Sequence, residues 1–197
     1  VPHCNGMGRM FPDSMIEMRG MKAEGGWGIV TTEQCDFHPT GDVQPFTETR
    51  MWDDADLPYL AAMVDAVHAH GALAGIELVH NGQDSGCLYS REVPIGPEHR
   101  PVTWHQHPIQ ARAMSRSDIR DYRRWHRKAV LRARQAGFDM VVVYAGHNGT
   151  VPSHFLSRES NQRSDEYGGS LKNRLRLYRE LIEETKDAIG DTMAVVA

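Results

Sequence analysis

The stretch DMVVVYAGHNG, residues Asp139 to Gly149, decides the fold. Its centre is an unbroken apolar run of Met and Val, bounded by a charge on one side and glycines on the other. That is the pattern of a short strand covered on both faces, as strands of parallel sheets are. The strand, read as Asp139 to Ala145, runs into a phenol and an imidazole three residues apart, Tyr144 and His147. Gly28 to Glu33 and Leu73 to Val79 follow the same pattern. Met193 to Ala197 reads as a fourth strand and Val1 to Cys4 as the tail of a fifth.

Helical periodicity fills the intervals. Leu57, Leu60, Val64 and Val67 recur at a 3.6-residue period after an acidic turn with Pro58, and Gly71 ends the segment. Ser117 is the expected N-cap of a helix carrying Ile119, Tyr122, Ala129, Val130 and Ala133, stopped by Gly137. Leu171, Leu175, Tyr178, Ile182, Thr185 and Ile189 form one stripe closed by Gly190, and a weaker helix covers Asp13 to Ala23.

Alternating strands and helices call for an α/β fold with a parallel sheet. An open doubly wound sheet and a TIM (β/α)8 barrel both fit. No GxGxxG follows a strand, so the dinucleotide-binding open sheet loses its main support. The barrel is favoured because Cys4, Gln34, Glu77, Tyr144 and His147 all fall at or just past the C-terminal ends of strands, where barrels assemble their sites. A barrel of this kind takes about 250 residues. Residues 1–197 are therefore expected to be the N-terminal part of one barrel domain, about strands one to five, cut at both ends.

The 197 residues, 40% hydrophobic and 24% charged, are ordinary for a globular domain with a core. A net charge of −4 and no long basic run argue against nucleic acid or an anionic membrane as partner, and no apolar run is long enough to span a bilayer. A cytoplasmic protein is expected. Cys4, Cys35 and Cys87 lie far apart without a CxxC pair, so neither a disulfide framework nor a thiolate metal cluster is expected. His99, His105 and His107 lack a second ligand pair at familiar spacing and read as a solvated loop, so no metal site is assigned.

Some side chains carry two readings. Cys4 is either a small buried hydrophobe or, beside His3 and a glycine-containing turn, a reactive thiolate. Tyr144 and His147 are either an acid/base pair or a loop cap and a surface histidine. Glu77 lies inside an apolar strand and must be paired or hydrogen-bonded there. The segment from His80 to Arg116 exceeds the usual connection of about 2 to 6 residues, and reads as a lid, an interface segment or a tolerated insertion.

The stretch HFLSRESNQRSDEYGGSLKNRLRLYRE, His154 to Glu180, resembles the signature of the old yellow enzyme family of flavin-dependent (β/α)8 barrels. VPHC, KAEGGW, TTEQC, GALAGIEL and VVYAGH are most similar to its methylamine dehydrogenase branch, which comprises trimethylamine, dimethylamine and histamine dehydrogenases. The resemblance implies FMN as cofactor, bonded through the Cys4 sulfur. It implies Pro2 and His3 lining the flavin and Glu77 at its pyrimidine edge. Tyr144 and His147 match the tyrosine and histidine beside the substrate amine. Ene reductases of the family more commonly carry His and Asn, or two His, at those places, to hold a carbonyl oxygen. Gln34, also beside the flavin, stands where trimethylamine dehydrogenase has a ring of its cation-binding aromatic bowl. An amide there suits a secondary amine, which as an ammonium ion offers two N–H donors.

The activity implied is oxidation of dimethylamine to methylamine and formaldehyde. Electrons would pass to an electron-transferring flavoprotein, and a 4Fe–4S cluster is expected beyond Ala197; the subunits admit a homodimer. The alternatives are an NAD(P)H-dependent ene or 2,4-dienoyl-CoA reductase, and an inactive fragment.

Overall fold

The computed structural model describes residues 13–43, 49–102 and 109–197. Pro2, His3 and Cys4, with the strand expected there, lie outside the described residues, as do His105 and His107. The elements run α1 (Asp13–Glu24), β1 (Ile29–Asp36), α2 (Leu57–His68), β2 (Leu73–Val79), β3 (Ile95–Gly96), β4 (Arg100–Pro101), β5 (Gln110–Ala113), α3 (Arg116–Gln135), β6 (Met140–Val143), α4 (Val151–Leu156), α5 (Leu171–Arg174), α6 (Arg176–Ile189) and β7 (Ala194–Val196).

β1, β2, β6 and β7 form one parallel sheet in that order. Strands are neighbours in space in the order in which the chain makes them, with a helix between each pair, as in a barrel wall. Ile76 and Leu78 of β2 and Val141 and Val143 of β6 pack against the helices in the same core as Val64, Val67, Ala129, Val130, Leu177 and Leu181. Successive strand side chains point to opposite faces. Gly75 and Glu77 of β2, with Met140 and Val142 of β6, therefore face the other way, toward the barrel interior. Gly75 has no room for a side chain: a Cβ would lie 2.9 Å from both Thr31 Cγ2 and Met140 Cγ.

Several expectations are corrected in detail. β1 runs on to Asp36, so Gln34 sits inside the strand; a bulge between Thr31 and Gln34 inserts a residue and resets the alternation. The cap of α3 is Ser115, not Ser117. Ser115 accepts from the Asp118 amide and Asp118 from the Ser115 amide, a reciprocal box that Ser117 has no partner to build. The stripe from Leu171 to Ile189 is two helices, breaking at Leu175. The long segment after β2 holds β3, β5 and β4 as a small sheet of its own. α4, six residues between Thr150 and Ser157, was not anticipated.

The His154 to Glu180 stretch works as scaffold. Asn161 Nδ2 donates to the Phe155 and Tyr167 carbonyls at 2.6 and 2.9 Å. Arg163 donates to the Met114 and Pro97 carbonyls and to Asp165, with its guanidinium 5.7 Å from the Phe155 ring centre. It thereby ties the segment after β2 to α4. Gly168 is needed because a Cβ there would meet the Arg163 carbonyl oxygen at 2.0 Å.

Candidate active site

Three strands place the site. Gln34 of β1 is the Cα partner of Glu77 of β2, which is the partner of Val142 of β6, so the three form one row across the inward face. Tyr144 stands two residues beyond Val142 on the same face, just past the end of β6. The structure thus brings Gln34, Glu77, Tyr144 and His147 to one end of the sheet, the C-terminal end of its strands.

The Tyr144 hydroxyl is hydrogen-bonded to Nδ1 of His147, with ring centres 5.9 Å apart. The turn that achieves this is unusual: His147 and Asn148 both hold left-handed backbone angles, φ 59° and 54°. Gly146 allows the ring to fold back over it, since a Cβ would lie 2.7 Å from the Tyr144 hydroxyl and Cζ. Burial raises the Tyr144 phenol above its ordinary range, and the Glu77 carboxylate adds to that.

Glu77 is half-buried, and among the described residues no side chain donates a hydrogen bond to its carboxyl. Burial pushes the carboxyl up and Glu33 pushes it further, while His147 pulls it down. Gln34 Nε2 donates to Asp36 Oδ1 at 3.2 Å, which fixes the rotation of the amide. A planar ring bearing both N–H and C=O groups along one edge fits this pair, because a half-buried carboxyl that accepts from none of the described side chains and an oriented amide stand side by side.

Sequence reasoning missed Glu33, the residue before Gln34, which holds φ 65° in the bulge. A charged residue at the end of an apolar strand was the available signal. It also missed the pair of His154 Nε2 and Asp84 Oδ2, 2.8 Å apart, which joins the segment after β2 to α4. This pair lines a cavity of about 210 Å³ with Gln83, Arg100 and Asn148. Among the described residues no group of three His, Cys, Asp or Glu could hold a metal ion. No helix among them is long and apolar enough to cross a membrane.

Residues 1–197 match the model of the NADH:flavin oxidoreductase / NADH oxidase family. The chain belongs to that family. Within it, dimethylamine dehydrogenase of Hyphomicrobium sp. (strain x) is 41% identical over 201 residues, covering 100% of this chain and 27% of the relative. Histamine dehydrogenase from Rhizobium sp. 4-9 superposes with a TM-score of 0.93 at 48% identity, over 99% of this chain and 30% of that one. The 6-hydroxypseudooxynicotine amine oxidase of Pseudomonas geniculata N1 gives 0.94 at 46%, over 99% and 29%. Family reductases match less closely; morphinone reductase gives 0.81 at 27% identity. The chain therefore spans under a third of the length of these amine-oxidising relatives, and its fold is part of a (β/α)8 barrel.

Proposed function

We propose that this chain supplies the first half of the barrel of an FMN-dependent amine dehydrogenase that oxidises a small secondary amine, with dimethylamine as the model substrate. The observation that carries the reading is the hydrogen-bonded Tyr144 and His147 pair at the open end of the inward row. A phenol joined to an imidazole can take the proton from a bound ammonium ion and leave the amine lone pair available. An enone would instead need two donors aimed at one oxygen, which this pair does not offer.

Bound across the row, FMN would accept the two electrons lost when the amine C–N bond becomes an iminium. Glu77 would hold its pyrimidine edge, and Cys4, with Pro2 and His3, would hold the ring by the covalent bond found in the branch that this chain resembles. Gln34 would accept from the second N–H of the protonated secondary amine and crowd a third methyl group. His147 would hold the proton released at nitrogen. Hydrolysis of the iminium gives an aldehyde and a primary amine: formaldehyde and methylamine from dimethylamine. The 4Fe–4S cluster and the electron-transferring flavoprotein acceptor belong to the same reading and rest on the resemblance.

The test is product formation. Full-length protein incubated with dimethylamine and an artificial electron acceptor should release formaldehyde and methylamine in equal amounts. Reduction of an enone with NADPH, and no aldehyde from any secondary amine, would replace this reading with the reductase one.

A further inference from the structure

β1 changes faces in mid-strand. Val30 and Cys35 both lie in the core shared with the helices, although residues five apart in an unbroken strand point to opposite faces. Thr31 pairs with Gly75 and Gln34 with Glu77, so Thr32 and Glu33 together oppose the single residue Ile76. Without that extra residue Glu33 would stand opposite Glu77, and Gln34 would turn to the helix side of the sheet. A bulge interrupts the ladder, and the carbonyls it frees inside the protein need other donors.

Arg19 supplies them. Fully buried on α1, it donates through Nε to the Thr31 carbonyl at 3.1 Å and through Nη2 to the Thr32 carbonyl at 2.7 Å. Consecutive carbonyls of a regular strand point to opposite edges, so one planar fork reaches both only where the strand is kinked. At the bulge itself, Thr32 Oγ1 accepts from the Glu77 backbone amide at 3.2 Å and donates to the Glu33 carbonyl at 2.6 Å. Glu33 holds φ 65°, in the left-handed region.

We propose that Arg19 is a positioning residue for Gln34: its guanidinium clamps the bulge that sets an amide, and not the Glu33 carboxylate, beside Glu77 in the inward row. The effect passes through the β1 backbone, from a helix outside the sheet to a side chain inside it. Lysine would keep the charge but lacks the fork that spans two carbonyls. That Gln34 selects the amine rests on the function proposed above; the clamp does not.

Kinetics of the full-length holoenzyme test the clamp. In Arg19→Lys the preference for dimethylamine over trimethylamine, as a ratio of kcat/KM, should fall by about 10- to 150-fold, the worth of one hydrogen bond to a charged group. Deleting Glu33 from that variant removes the need for a clamp, because Thr32 then opposes Ile76 and Gln34 opposes Glu77 in an unbroken strand. The preference should return. A preference unmoved by Arg19→Lys, or lost and not restored by the deletion, overturns the inference. If Arg19→Lys alone does not fold, the deletion should restore folding and preference together, and a double variant that stays unfolded overturns it as well. A wild-type protein that oxidises no amine sinks the proposed function alone. The clamp is then read from a crystal structure of Arg19→Lys, where Glu33 is expected opposite Glu77 and an unchanged bulge would overturn it.

Discussion

The Tyr144 hydroxyl meets Nδ1 of His147 across a glycine whose missing side chain leaves the space for it. The proposed acid/base pair is thus held together by the backbone of the turn from Tyr144 to Asn148. Gly146→Ala should push the Tyr144 ring off the histidine, because the added methyl falls 2.7 Å from the ring. Overpacking of this kind costs about 1–3 kcal/mol, and misplacing a reacting group by about 1 Å can cost about 100-fold in rate. Stopped-flow measurement of amine-dependent flavin reduction checks it; an unchanged rate would show that the pair is not needed.

His147→Gln keeps a hydrogen-bonding side chain but removes the imidazole that the proposed function uses to hold a proton. Turnover should fall and the pH profile of kcat should change shape. An identical profile in steady-state kinetics would leave His147 without a proton role.

Gln34→Tyr replaces the amide that sits beside Glu77 with a ring. Cation–π attraction on the order of 1–2 kcal/mol favours a trimethylated nitrogen, so kcat/KM should shift toward trimethylamine by about 5- to 30-fold. Equal preference in the two proteins would remove Gln34 from substrate choice.

Buried histidines set the acid limit of the fold. His126 is fully buried on α3 beside Phe37, and burial lowers it to about 4; His38, stacked on Trp125 with ring centres 3.4 Å apart, is lowered to about 4 for the same reason. His80 is held well below its ordinary range, first by burial and then by His38 and His154. These groups are neutral in the folded chain and protonate near 6.5 when unfolded, so the unfolded state binds more protons between those values. Stability should be level above about 6.5 and fall as pH drops toward 4. His126 alone contributes roughly 3 kcal/mol across that window, at about 1.4 kcal/mol per pH unit. Denaturant unfolding at pH 7, 5.5 and 4.5 measures the slope, which His126→Phe should reduce.

Much of this was legible beforehand, for reasons that can be traced. β2 and β6 declared themselves because strands covered on both faces are apolar throughout, and Glu77 stood out as the exception. Glu33, a charge at the end of an apolar run, offered a signal, but the bulge that gives it a left-handed backbone is announced by no residue pattern. Ser115 lost to Ser117 in the sequence because the decisive partner is Asp118 at the third position of the reciprocal cap, itself held by Arg112 at 2.7 Å. The His154 to Glu180 signature identified the family, yet its residues hold α4, the segment after β2 and α6 together and do not line the row of Gln34 and Glu77. A motif can specify the scaffold while short, scattered residues specify the chemistry.

Gly168 gives that scaffold its own test. Gly168→Ala would drive a methyl into the Arg163 carbonyl, so the turn must move. The protein should express poorly or melt at lower temperature, by about 2–4 °C for each kcal/mol lost in a domain of this size. A wild-type melting curve would mean that the turn relaxes freely.

The proposed covalent attachment is read from mass. Intact mass spectrometry of the unfolded full-length protein should show one FMN beyond the weight of its amino acids, carried on the peptide containing Cys4. A Cys4 peptide of unmodified mass would mean that the flavin is held without the bond.

The account stands or falls on what reduces the bound flavin. Anaerobic addition of dimethylamine or another small secondary amine to the full-length holoprotein should bleach the yellow absorbance within seconds, and NADPH should leave it unchanged. Bleaching by NADPH with no response to any secondary amine would contradict it.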